Sequence, residues 1–265
     1  MTAFSNYNGG HESEGGRTVK GALAAILLAF ISCAQAAEIK VLSGNGAKAA
    51  ISELAARFEQ ATGHKVSIHF EVNTGVKRRI EGGEQFDVAI LNPPVLDDLI
   101  RQGRVVGNTR AVIGRCGIGV GMREGAQKPD ISTVAAFKRS LLDARTVAYP
   151  GEGASGKYFV SLVERLGMTE EMKPRMRPMP AQYNVEVVAR GEVDMVVVVA
   201  SRISGVPGVA LAGLIPRELQ TWIGFTAGVS AAAKEPEAAR AMIGFFTAAP
   251  AASVLRAKGV EPFVE

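Results

Sequence analysis

From Glu38 to Lys258 the chain alternates strand-like and helix-like segments, and that alternation restricts the folds open to it. Glu38–Leu42 and Lys65–Val72 have strand patterning, and Phe86–Leu91 is a short apolar run. Between the first two, Ala47, Ala50, Ile51, Leu54, Ala55 and Phe58 recur at helical spacing, and Gly63 marks the stop. A helix is expected over Gly75–Glu81, and Pro93-Pro94 opens another, because proline is tolerated in a first helical turn. Further helices are expected over Ile131–Leu142 (Ser132 as its cap), from the Gly151–Gly156 loop to Leu166, over Gln182–Ala189, and over Pro236–Thr247 and Ala251–Lys258. Thr146–Tyr149 reads as a strand. Val193–Val199 reads as one covered on both faces, being almost wholly β-branched. Thr109–Met122 and Thr221–Ala231 read as long extended segments joining two lobes. The expected class is α/β with mostly parallel sheets flanked by helices.

The 265 residues suit one large domain or two lobes, and 47% hydrophobic content provides a core. A net charge of +4 with no basic run beyond Lys77-Arg78-Arg79 argues against nucleic acid as a partner. Residues 1–36 read as an extension and an export signal. Arg17 and Lys20 precede the apolar run Gly21–Ser32, and Ala34-Gln35-Ala36 has the small-x-small cleavage pattern. Cleavage is expected after Ala36, placing the protein in the periplasm. Phe30-Ile31-Ser32 before Cys33 makes a poor lipoprotein box. The remainder holds only Cys116, so no internal disulfide forms. No Cys/His cluster has metal-ligand spacing, and no metal or cofactor is expected.

Three glycine–lysine pairs fall near predicted helix starts: Gly46-Ala47-Lys48, Gly75-Val76-Lys77 and Gly156-Lys157. A helix N-terminus disfavours a lysine and favours an anion. Three lysines there point to an anionic ligand beyond the carboxyl ends of the strands. The plainer alternative for each is a side chain that snorkels to solvent. Asn73-Thr74-Gly75 serves equally as a helix cap. Gly151–Tyr158 (GEGASGKY) approaches a phosphate-binding loop, but Tyr158 stands where that loop needs a magnesium-binding Ser or Thr. Glu71, Glu152 and Tyr158 are candidate proton carriers if the protein is an enzyme, with a solvated carboxylate as the plainer reading.

The string IKVLSGNGAKAAISELAARFEQATGHKV, the Asn-Thr-Gly loop, GGEQFDVAILNP, GASGKYF, ARGEVDMVVVV and KEPEAARAMIGFF together resemble exported molybdate-binding solute receptors over Glu38–Gly259. The resemblance implies a two-lobed type II periplasmic binding fold that closes on its ligand, with 37–113 plus 223–265 as lobe 1 and 114–222 as lobe 2. It places the ligand among Ser43, Asn45, Gly46, Lys48, Asn73, Thr74, Lys77, Ser155, Gly156, Lys157 and Tyr158. The family's first-loop serine falls at Gly46, its second-loop serines at Asn73 and Thr74, its backbone-donor alanine at Ser155, and its closing tyrosine at Val199. With two hydroxyl positions missing and lysines added, a small organic polycarboxylate suits the set better than a metal oxyanion. The implied partners are that small anion and an inner-membrane transporter permease, with the protein itself a monomer. A divergent branch of this fold isomerises aconitate; an enzyme of that kind and a conventional molybdate or tungstate receptor are the two alternatives.

Overall fold

The computed structural model describes residues 36–180 and 185–263. The signal-peptide reading, Cys33 included, falls almost wholly outside the described residues. Strand β1 (Glu38–Gly44) runs through a one-turn 3-10 helix, Asn45–Ala47, into helix α1 (Lys48–Thr62). Ala50, Ile51, Leu54, Ala55 and Phe58 form the buried face of α1, as their spacing requires. Gly63 ends α1 in the left-handed region at φ 76°, where a side chain is strained. Next come β2 (Lys65–Glu71), α2 (Asn73–Glu81), β3 (Val88–Leu91) and α3 (Pro93–Arg101), which Pro93 opens.

Strand β4 (Ala111–Arg123) leads to α4 (Val134–Asp143), β5 (Val147–Pro150), α5 (Ala154–Arg165), α6 (Thr169–Met172) and β6 (Met176–Met179). After them come β7 (Met195–Val199), β8 (Val209–Leu214), β9 (Trp222–Val229), α7 (Pro236–Thr247), α8 (Ala251–Ala257) and β10 (Glu261–Pro262). The cap of α4 is Thr133 rather than Ser132: the Thr133 hydroxyl accepts from the Ala136 amide at 3.1 Å, while Ser132 bonds Asp130. Of the helix expected over Gln182–Ala189, the described part is a 3-10 turn, Val185–Val187.

The strands form one curled sheet in the order β2-β1-β3-β9-β4-β7-β5-β6, with β8 and β10 also on β4. Pairs β1–β2, β1–β3, β5–β6 and β5–β7 are parallel. Every antiparallel pair involves β4 or β9, the two long extended segments. The sheet is therefore mixed: parallel βαβ units on each side, antiparallel strands between them.

Strand β4 changes partners midway. Ala111–Gly117 pairs with β9, and Ile118–Arg123 pairs with β7 and β8. At the handover the Gln220 side chain substitutes for a strand. Its Oε1 accepts from the Ile118 amide at 2.8 Å and its Nε2 donates to the Ile118 carbonyl at 3.0 Å. Both backbone groups of Ile118 are thus satisfied where a buried orphan would be costly.

Buried Asp87 fastens the other end. Its Oδ2 accepts from the Lys40 amide at 2.8 Å, and its Oδ1 accepts from the amides of Lys234 and Glu235 at 2.8 and 3.1 Å. One carboxylate thereby ties β1 to the loop that enters α7.

Candidate functional site

The carboxyl ends of β1, β2, β3, β5 and β7 converge on a cleft, the place where this topology puts ligands. It has two connected compartments that share Asn73, Asn92, Gly153, Ala154 and Ile223 as lining. The inner one holds about 40 Å³ and is also lined by Asn45, Gly46, Ser155, Val199, Arg202 and Phe225. Arg202 is its one charged lining residue among the described residues. The outer one holds about 510 Å³ and adds Thr74, Pro93, Pro94, Glu152, Lys157 and Trp222. Both α2 and α5 begin here, and the amides of a first helical turn lack acceptors within the helix.

Local packing explains several residue choices. A side-chain carbon at Gly46 would come within 2.8 Å of the Phe225 ring. The serine hydroxyl that the resemblance leads one to seek at 46 therefore has no room. At Gly156 a Cβ would lie 1.6 Å from the Pro150 carbonyl oxygen, so α5 meets β5 backbone to backbone. A Cβ at Gly75 would strike the Glu71 carboxylate, at 1.9 Å. Asn73 lies over Gly44, and its Oδ1 accepts from the Asn92 amide at 2.8 Å, which fixes the orientation of the side-chain amide. The Ser43 hydroxyl is buried and donates to the Gly44 carbonyl at 3.0 Å.

Of the three lysines grouped from sequence, the structure brings one, Lys157, to the cleft. Lys48 is exposed, with Nζ 5.6 Å from the centre of the Phe70 ring. Lys77 lies beyond the first turn of α2. It pairs with Asp98 at 2.5 Å and Glu81 at 3.4 Å, and the Asp98 hydrogen bond above all raises its pKa. The spacing that suggested a lysine triad reflects helix starts, and each lysine's direction depends on which carboxylate or ring lies beside it.

Among the candidate proton carriers, Glu152 lines the outer compartment. Glu71 lines neither compartment. Arg79 Nε donates to it at 2.7 Å and His69 Nε2 lies at 3.3 Å; Arg79 chiefly, against the opposing effect of burial, holds its carboxyl below the usual carboxylate range. Tyr158 donates its hydroxyl to the Leu219 carbonyl and accepts from Arg165 at 3.0 Å.

Arg202 and Asn92 are cleft residues the sequence reading passed over, and Phe225 lines the cleft beside them. Arg202 follows β7 in a one-turn 3-10 helix, Ala200–Arg202, and its guanidinium lies 3.4 Å from the Asn45 carbonyl. Beside it the Ser201 hydroxyl donates to the Gly46 carbonyl at 2.7 Å. A basic residue just past a buried strand was the available signal. A guanidinium presents a rigid fork of donors that matches a carboxylate.

This sheet order, with two extended strands between βαβ halves and a cleft at their strand ends, defines a two-lobed type II periplasmic binding protein. The chain belongs to the family described as bacterial extracellular solute-binding protein, whose sequence profile matches residues 39–261. It is 32% identical over 250 residues to aconitate isomerase of a Pseudomonas species, covering 91% of this chain and 95% of that one. It is 26% identical over 244 residues to the molybdate-binding protein ModA of Azotobacter vinelandii, covering 90% and 94%. The solved periplasmic molybdate-binding protein of Azotobacter vinelandii superimposes with a TM-score of 0.70 at 18% identity, covering 84% of this chain and 98% of that one.

Proposed function

We propose that the protein is a periplasmic receptor for a small organic polycarboxylate, gripped at the inner compartment by Arg202. The observation that carries this reading is the lining of that compartment. One guanidinium stands among neutral donors from Asn45, Asn73, Asn92 and Ser155, and no carboxylate lines the compartment among the described residues. Lys157 at the outer compartment supplies the second cation for a ligand with more than one acid group. A tetrahedral oxyanion leaves most of the outer space unfilled. As a receptor the protein would be a monomer processed after Ala36, handing its ligand to an inner-membrane permease by hinge closure of the lobes 37–113 plus 223–265 and 114–222.

The relation to an aconitate isomerase favours a second reading, in which the same clamp serves turnover. Aconitate interconverts when a methylene proton leaves one carbon, the double bond shifts, and the proton returns to the former alkene carbon. Nothing is oxidised or reduced. Glu152, the one carboxylate lining the cleft among the described residues, would carry the proton. Arg202 and Lys157 would stabilise the charge spread into the carboxylates.

The test is thermal unfolding against di- and tricarboxylates, molybdate, tungstate and sulfate. A ligand at 100 times its Kd stabilises by about 2.7 kcal/mol. A shift with tricarboxylates supports the proposal, and a shift with molybdate or tungstate alone refutes it. Proton NMR of cis-aconitate incubated with the protein then separates receptor from isomerase.

A further inference from the structure

We infer that Trp222 makes the outer compartment a stacking platform for a planar, unsaturated body of the bound acid, and so selects conjugated polycarboxylates over saturated ones. The inference rests on the polycarboxylate reading of the same cleft. The inner compartment, at about 40 Å³, is less than a tenth of the outer one's 510 Å³. The carbon skeleton of any acid held by Arg202 must then project into the outer compartment. Apolar surface from Pro93, Pro94, Val95, Trp222 and Ile223 meets it there.

Trp222 is the largest of these surfaces and remains 37% exposed, although it is the first residue of a strand whose later residues are buried. One of its faces is occupied. The Arg115 guanidinium lies 4.4 Å from the ring centre and is itself held by Glu261 at 3.3 Å, so one face of the indole is covered. Two residues on, Gly224 lets Pro93 approach: a Cβ there would sit 2.9 Å from the proline Cγ. An indole fixed in this way offers a flat surface to a flat ligand, and a cation on its covered face draws electron density away from the ring. A conjugated acid is planar and stacks. Its saturated counterpart carries the same carboxylates on a puckered chain and does not.

Trp222 is the chain's one tryptophan, so indole fluorescence reports on this position alone. trans-Aconitate and its saturated counterpart, propane-1,2,3-tricarboxylate, serve as probes, with calorimetry measuring binding alongside fluorescence. The expected result is a change in tryptophan emission on binding trans-aconitate and a preference of about fivefold for it, the size of one aromatic contact. Trp222→Phe should keep the preference. Trp222→Ala should bring the two affinities together while the unliganded Tm stays close to wild type, a pattern that general loss of packing would not give. An unchanged preference in Trp222→Ala, or calorimetric binding with no change in emission, overturns the inference. If neither acid binds the wild-type protein, the polycarboxylate reading itself has failed.

Discussion

Gly156→Ala separates two reasons for a glycine in the GEGASGKY loop. If the glycine served the ligand, alanine would lower affinity and leave the fold intact. The structure gives the other reason, since the new Cβ would lie 1.6 Å from the Pro150 carbonyl oxygen. Relieving that contact requires α5 and β5 to part by roughly 1.4 Å, and both are backbone in a packed interior, so the cost is of order 3 kcal/mol, at the upper end of overpacking. For a domain of this size that is a fall in Tm of about 6–12 °C. Gly244→Ala is the matched control. Gly244 lies within α7 with nothing within 4 Å of its added Cβ. Alanine there should raise stability by about 0.5–1 kcal/mol through helix propensity. Both variants are compared by differential scanning calorimetry without ligand. A Tm for Gly156→Ala within about 2 °C of wild type would refute the packing account, because that corresponds to 1 kcal/mol or less.

Other perturbations have equally definite outcomes. Arg202→Met should weaken tricarboxylate binding by roughly 10- to 150-fold, the worth of a charge-assisted hydrogen bond, as read by calorimetry; unchanged affinity would show that the acid group binds elsewhere. Asp87→Ala strands the three amides that its carboxylate receives and should cost on the order of 3–5 kcal/mol in urea unfolding, whereas a loss below about 1 kcal/mol would mean that water replaces it. Burial opposes the charged form of Asp194, but hydrogen bonds from Arg145 and from the Arg145 and Thr146 amides outweigh it and lower its pKa in the folded state. Its stabilising contribution is therefore present above about pH 4, the unfolded value, and is lost as pH falls through the lower folded value. Asp194→Asn should flatten the acid limb of stability measured between pH 2 and 6, and an unchanged limb would refute the assignment.

Elements whose patterning comes from burial were legible in the sequence. The apolar stripe of α1, the proline that opens α3, the five buried residues of β7 and the bounds of α7 all follow from periodicity and turn chemistry. Strands β6 and β8 were not. The first is a short strand containing Pro178, and the second mixes buried with exposed residues around Gly213. Part of the cleft was equally visible, since Asn45, Gly46, Asn73, Thr74, Ser155 and Lys157 sit in first helical turns shortly after strands. Arg202 was not, because its place beside Asn45 depends on a contact 157 residues away in sequence. Lys77 misled for the converse reason: nothing local announces that Asp98, on another helix, takes its ammonium.

The handover at Ile118 has a consequence for dissecting the molecule. One continuous strand belongs to both halves of the sheet, so a chain cut between Gly117 and Ile118 leaves each fragment with half a central strand and raw edges on both sides. Neither half is then a self-sufficient folding unit, and heating should give a single calorimetric peak in place of two.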